Sequence, residues 1–248
     1  MKDRESYLSR DAILRAMRAG RIFISPFDER HLGSGQYDVS LGPYFYRENR
    51  DVRNVAVYNP YSEADVRRVW GDQWEEAIRH KDWAMRNKVG PLENVGLDDR
   101  VIVLDPGETI LAHTNEFIGG CDNTITTMMK ARSSLGRNFI EICKCAGLGD
   151  IGYHNRWTME ITNNSTKYQI PLVVGRRVAQ IVFFRTDGIK GADYVAGSGK
   201  YQGTRDTSQM MEDWTPRAML PKMFKDWEVR ELKARELSLK KPAGRKLN

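Results

Sequence analysis

Two short stretches of the 248-residue chain bring together side chains able to do chemistry. In the first, Lys130-Ala131-Arg132-Ser133-Ser134-Leu135-Gly136-Arg137, two guanidinium groups, two hydroxyls and a glycine turn occupy six residues. Planar arginine forks and hydroxyls on a tight backbone suit phosphate oxygens. A surface turn with solvated arginines would carry the same residues. The second stretch runs from Ala146 to Glu160. Strand alternation read backward from Glu160 sets Thr158 and Arg156 on its face, with Met159 and Ile161 on the other. A carboxylate facing a β-barrel interior is costly unless it is paired or used, and a structural salt bridge is the plain alternative to catalysis.

Zinc-dependent attack on a C–N bond needs a His or Cys beside a Glu, followed by P-C-x-x-C, so that three ligands hold the ion. His31, His80, His113 and His154 have no such neighbours, and Cys143-Lys144-Cys145 has the wrong spacing. Hydrolysis of a C–N bond by this chain is therefore expected to proceed without zinc.

The elements that must position these residues read as mainly β. Ser9 is placed to cap a helix through Arg18, with Ile13, Leu14 and Met17 on one face and Gly20 at its end. Arg21–Ser25 alternates as a strand, and Gln36–Leu41 predicts another that closes at Gly42-Pro43. Between residues 58 and 91, Val66, Trp70, Trp74 and Ile78 recur every four positions, which predicts a helical insertion, although Gly71 interrupts it. From Val101 to Thr186 come short apolar runs separated by turn residues. They include VIVLDPGE, TILAHTNEFI, TITTMMKA, NFIEICKCA, RWTMEITNNS, YQIPLVV and VAQIVFFRT. Such text predicts an antiparallel barrel or jelly roll. No phosphate-loop or dinucleotide glycine pattern stands between a strand and a helix. The glycine-rich segment 187–205 reads as mobile, and residues 217–248 as a basic helical extension of a single domain spanning 1–216. In that extension Asp226–Arg230, Glu231–Arg235 and Glu236–Lys240 are spaced as helical ion pairs.

A net charge of +6 resembles the footprint of a polyanion partner. The excess lies wholly in 217–248, where ten basic residues face four acidic ones; residues 1–216 carry 29 of each. Acids interleaved at helix spacing describe a solvated helix and argue against nucleic-acid binding. Nothing near the start reads as a secretory signal, no apolar run is long enough to span a bilayer, and three cysteines do not make a disulfide scaffold. A cytoplasmic, reducing setting is expected, with no membrane partner.

The motifs occur in a recognisable order. R-S-S-L-G-R (132–137), A-G-x-x-D-x-G-Y (146–153), M-E-I-T-N (159–163), G-R-R-V-A-Q (175–180) and G-K-Y-Q-G (199–203) resemble the dCTP deaminase and dUTPase superfamily. The opening S-R-D-A-I, G-R-I, I-S-P-F-D and Y-D-V-S-L-G, within 9–42, is similar to the dCTP deaminase branch. The resemblance covers about residues 9–48 and 101–205. It implies a distorted jelly roll of the dUTPase type, a homotrimer with sites between subunits, and Mg²⁺ carried by the triphosphate and waters. The insertion and the basic extension fall outside it.

On that resemblance Glu160, three residues before Asn163, is the general base and acid of hydrolytic dCTP deamination. Arg137 lies beside it to stabilise developing charge, and Ser133 orients the water. Burial would raise the Glu160 pKa and Arg137 would lower it, so no net direction is expected. Arg132, Ser134, Lys200, Gln202 and Tyr194 fall to the phosphates, with the glycine-rich segment closing over them. Gln180 and Ala146 complete the nucleotide site. Tyr153 stacks on the deoxyribose, and Asp150 matches the carboxylate that positions water for phosphate hydrolysis. The expected product is dUTP. The alternatives are a bifunctional enzyme giving dUMP, a dUTPase or dCTP pyrophosphatase, and a regulatory module that binds nucleotide without turnover. Cys145 stands where Thr or His is usual, Gly149 where an apolar residue is usual, and Asn155 in place of a turn glycine. The first two fall where the base is read and leave room for a substituted pyrimidine.

Overall fold

This computed structural model describes residues 6–49, 57–197 and 199–239, which leaves Lys240 and the end of the basic extension outside the described residues. Helix α1 (Arg10–Arg18) follows Ser9 and buries Ala12, Ile13 and Ala16. Strand β1 (Ile22–Ser25) comes next, as the alternation predicts. Strand β2 (Gln36–Arg47) does not stop at Leu41 as expected but continues through Gly42-Pro43. A register shift between Leu41 and Phe45 takes up the proline, which has no N–H for the ladder. Gly42 is required there because a Cβ would sit 2.0 Å from the buried ring of His113.

The insertion is not one helix. Gly71 adopts φ 79°, a left-handed value that ends helix α2 (Glu63–Trp70). Trp74 and Ile78 therefore lie beyond it. Short strands β3 (Glu75–Glu76) and β4 (Ile78–Arg79) precede helix α3 (His80–Asn87), and Trp74 packs edge-on against Tyr44 at 6.4 Å.

The remaining strands follow the apolar runs: β5 (Arg100–Leu104), β6 (Thr109–Gly120), β7 (Ile125–Ala131) and, after the short helix α4 (Ser133–Gly136), β8 (Ile140–Glu141). Then come β9 (Leu148–Gly149), β10 (Arg156–Asn163), β11 (Ile170–Val173) and β12 (Arg177–Arg185). Helices α5 (Thr207–Asp213) and α6 (Trp227–Leu239) end the described chain. The run 138–146 departs from expectation, since only two of its residues are strand. Ile142 and Cys143 are both buried, but the chain leaves the strand after Glu141. It turns through three successive left-handed residues, Cys143, Lys144 and Cys145, at φ 70°, 38° and 67°. None is glycine, and each is strained.

Nine strands form one curled antiparallel sheet in the order β8-β10-β6-β2-β12-β7-β9, with β1 added on β6 and β3 on β2. A second sheet has the order β11-β5-β4. The mainly β class expected from the sequence is the one observed. Tyr37, Val39, Met129, Met159, Ile161 and Ile181, all at most 1% exposed, fill the core inside the curl. The chain divides into two compact units. Residues 1–48 and 73–219 make the first, with both sheets; 49–72 and 220–248 make the second, with α2 and α6. In the second unit Ser62 caps α2 by accepting from the Asp65 N–H, Val66 is buried, and Glu231 pairs with Arg235 at 3.7 Å. Among the described residues no helix is long and apolar enough to cross a membrane.

Candidate active site

Strand β10 lies between β6 and β8 and sets Glu160 opposite Leu111. Trp157, Met159 and Ile161 point into the core, so Glu160 points away from it. The expectation that it faces the barrel interior is corrected: the interior is apolar, and alternation sends the carboxylate to the outer face. There it is half-buried, and its carboxylate accepts from its own backbone N–H. Burial pushes its pKa above the usual carboxylate value, and the Lys144 charge opposes this only in part. The expected balance with Arg137 does not operate within one chain. Burial wins, and the opposing cation belongs to the strained turn. Burial, with Glu160 as the second cause, also pushes the Cys143 thiol up to about 12.

The phosphate-type motif sits where β7 gives way to α4. Ser133, Ser134 and Arg137 are exposed on that turn, and the Arg137 guanidinium has no side-chain partner among the described residues. Arg132 points toward a cleft of 480 Å³ that it shares with Arg176, Arg177 and Leu135. Its Nη1 donates to the Arg177 carbonyl at 3.3 Å, and its Nε lies 3.5 Å from Asp38 Oδ2. Gln180 donates from Nε2 to Asp38 Oδ1 at 3.0 Å, and Arg177 donates to Oδ2 of the same carboxylate at 3.0 Å.

A second cleft, of 600 Å³, is lined by Asp150, Ile151, Asp193, Tyr194, Gly199 and Lys200, among others. Asp150 is exposed on its wall. Tyr153 stands behind it: its hydroxyl donates to the Arg156 carbonyl at 2.8 Å, and its ring meets Tyr194 edge-on at 5.2 Å. The Tyr194 hydroxyl accepts from the Tyr201 N–H at 3.2 Å. Gln202, 3% exposed, is placed beneath the turn and not on the cleft. Its Oε1 accepts from the His154 N–H at 2.9 Å, and its Nε2 donates to the Gly152 carbonyl at 3.1 Å. The glycine-rich segment is thus tied to the 151–154 turn, and Arg205 closes it with an ion pair to Asp193.

Ala146 is exposed at the end of the strained turn, beside Cys145. Gly149 has a steric reason to depart from an apolar residue. A Cβ there would lie 2.2 Å from Thr127 Oγ1 and 2.5 Å from the Trp157 ring. Asn155 is buried and donates to the Tyr201 carbonyl at 3.0 Å, bonding that glycine could not make. The site residues therefore fall into three groups in one chain: Glu160 beside the strained turn, the arginine cleft, and the cleft of Asp150 and Lys200. Asp38, Arg177 and Lys144 belong to these groups without having been singled out. Their signal is tertiary, since Asp38 is separated by 139 and 142 residues from Arg177 and Gln180.

A cluster of arginines beside Asp38 and a half-buried strand carboxylate sit on a curled antiparallel sheet of mainly β class. Residues 7–186 match the family model described as dCTP deaminase-like, and the chain belongs to that family. It is 32% identical over 201 residues to a "dCTP deaminase, dUMP-forming" of Methanopyrus kandleri, covering 79% of this chain and 90% of the relative. It is 30% identical to a "dCTP deaminase" of Haloarcula marismortui, covering 79% and 89%. A solved 2'-deoxycytidine 5'-triphosphate deaminase from Agrobacterium tumefaciens is similar with a TM-score of 0.45 and 17% identity, covering 73% of this chain and about half, 48%, of that one.

Proposed function

We propose that the protein deaminates dCTP and then cleaves the resulting dUTP, releasing dUMP and pyrophosphate. The observation that carries this is the pair of carboxylates ten residues apart: Glu160, half-buried and proton-retentive, and Asp150, exposed on a cleft with Lys200. The motifs alone favour dUTP as the product. The dUMP-forming relatives of Methanopyrus kandleri and Methanococcus vannielii favour the bifunctional alternative.

In the first step water adds to C4 of cytosine. Glu160 takes a proton from that water and delivers it to the ring nitrogen N3; it then passes the proton of the new C4 hydroxyl to N4, the C4–N4 bond breaks, the carbonyl forms and ammonia leaves. A base of this kind contributes roughly 10²–10⁴-fold. Its raised pKa suits a group that must both accept and return a proton. Arg137 and Ser133 would stabilise and orient the water from an adjoining chain, and Arg132, Ser134 and Lys200 would hold the phosphates. In the second step Asp150 orients a water toward the α-phosphorus, and the bond to the bridging oxygen breaks. The donors on that cleft, an exposed Asp150 and an Asp193 already tied to Arg205, fit a Mg²⁺ ion held mainly by its nucleotide. Mg²⁺ would supply charge neutralisation at the triphosphate. A homotrimer sharing its sites accounts for the three separate groups. It would also cover Phe139, Leu148 and Tyr168, which are 53%, 66% and 58% exposed.

The test is incubation with dCTP and Mg²⁺ followed by separation of the products. The proposal requires dUMP, pyrophosphate and ammonia; accumulation of dUTP alone removes the second step, and dCMP removes the first.

A further inference from the structure

Asp38 lies in the middle of the sheet, on β2, and is 6% exposed. It catalyses nothing in the scheme above, yet both of its oxygens are occupied. Oδ1 accepts from Gln180 Nε2 at 3.0 Å, Oδ2 accepts from Arg177 Nη1 at 3.0 Å, and Arg132 Nε lies 3.5 Å from Oδ2. The three partners come from one strand and a turn: Gln180 and Arg177 from β12, and Arg132 from the residue that opens α4. Cross-strand register places Gln180 directly opposite Asp38. The Arg132 and Arg177 side chains are 30% and 41% exposed, so each guanidinium is held at one end and open to solvent at the other.

We infer that Asp38 is a positioning residue for the triphosphate end of the site, setting Arg132, Arg177 and Gln180 as one array before a nucleotide arrives. The inference rests on the proposed function. A buried carboxylate is tolerated when it is paired and hydrogen-bonded, which this one is. Two guanidinium groups brought to one cleft repel each other, and each long side chain loses rotamer freedom when it is held. A single buried anion between them offsets the repulsion and fixes both forks, so the nucleotide need not order them itself. Without it the arginines spread apart, and the loss falls on binding of polyphosphate, not on the chemical step at Glu160.

Asp38→Asn keeps the shape and removes the charge. It is expected to raise KM for dCTP about tenfold while kcat at saturation changes less than about threefold, the split that marks lost uniform binding. Calorimetry with inorganic triphosphate should show a matching loss, and dCMP should bind with little change. Arg177→Met should raise KM in the same direction by a smaller factor, and the double variant should lose less than the product of the two. An unchanged KM, a loss carried by kcat, or strictly multiplicative effects overturns the inference. Should Asp38→Asn not fold, Arg177→Met and Asp38→Glu, compared by the same KM and triphosphate measurements, decide it. If wild-type protein leaves dCTP intact, the proposed function fails, and triphosphate binding by the two proteins still tests the clamp.

Discussion

Replacing Gly149 by alanine puts a methyl carbon where two buried side chains already stand. The new carbon would lie 2.2 Å from Thr127 Oγ1 and 2.5 Å from the Cζ2 and Cη2 carbons of Trp157, where ordinary contacts begin at 3.4 Å. Both neighbours must retreat by roughly 1 Å in an interior packed as densely as a crystal. Thr127 and Trp157 are 1% and 5% exposed, and the indole is held by its N–H to the Ile118 carbonyl at 2.9 Å. Overpacking costs about 1–3 kcal/mol, and two confined walls place this variant near 2 kcal/mol. For a chain of this size that is a fall of about 4–8 °C in the unfolding midpoint, readable by calorimetry or by circular dichroism. Trp157→Phe removes the two ring carbons in question, so Gly149→Ala combined with Trp157→Phe should be less damaging than the sum of the two. A midpoint within about 1 °C of the parent, or strict additivity, refutes the packing reason for Gly149.

Glu160→Gln should abolish ammonia release, by at least roughly 10²-fold, while raising stability at neutral pH, because it removes a half-buried carboxylate that burial disfavours. The sign follows from the raised pKa: ionisation above the unfolded value of 4.5 works against the fold, so the gain should vanish in acid. An active or destabilised Glu160→Gln protein at pH 7 contradicts this. His113, with 0% exposure, is held neutral by burial, its pKa lowered from 6.5 to about 4. The unfolded chain takes up a proton that the folded one refuses, so stability present above pH 6.5 is lost as the pH falls toward 4. The loss amounts to at most about 1.4 kcal/mol per pH unit in that window. Denaturant titrations across this range, and an imidazole NMR titration, check it; a midpoint near 6.5 for His113 would exclude it.

Much of the frame was legible because period-two alternation and turn residues act locally. Strands β6, β7, β10 and β12 fall where apolar runs bounded by turn residues put them. The misses have tertiary causes. Strand β2 passes a proline because a bulge beside His113 absorbs it, and no local pattern announces a bulge. The helix-like spacing at Trp74 and Ile78 is coincidental, since Gly71 turns the chain first. The run at 138–146 bends through left-handed Cys143, Lys144 and Cys145, which an apolar run without glycine does not announce. In the site, Glu160 was visible from its strand. Its outward direction was not, because alternation tells two faces apart without saying which one is covered. Asp38 and Arg177 were visible only as letters in motifs, since what joins them is distance in space.

The bonds between the glycine-rich segment and the 151–154 turn have a kinematic consequence. Tyr194 N–H donates to the Ile151 carbonyl at 3.0 Å, and Gln202 grips His154 and Gly152 from below. The two rims of the Asp150 cleft therefore form one lever and not a pair of jaws. A displacement of 193–202 drags Ile151, Gly152 and the Tyr153 ring with it. Contact at Lys200 and contact at Asp150 tighten or slacken together, so a ligand that engages one rim has already set the other.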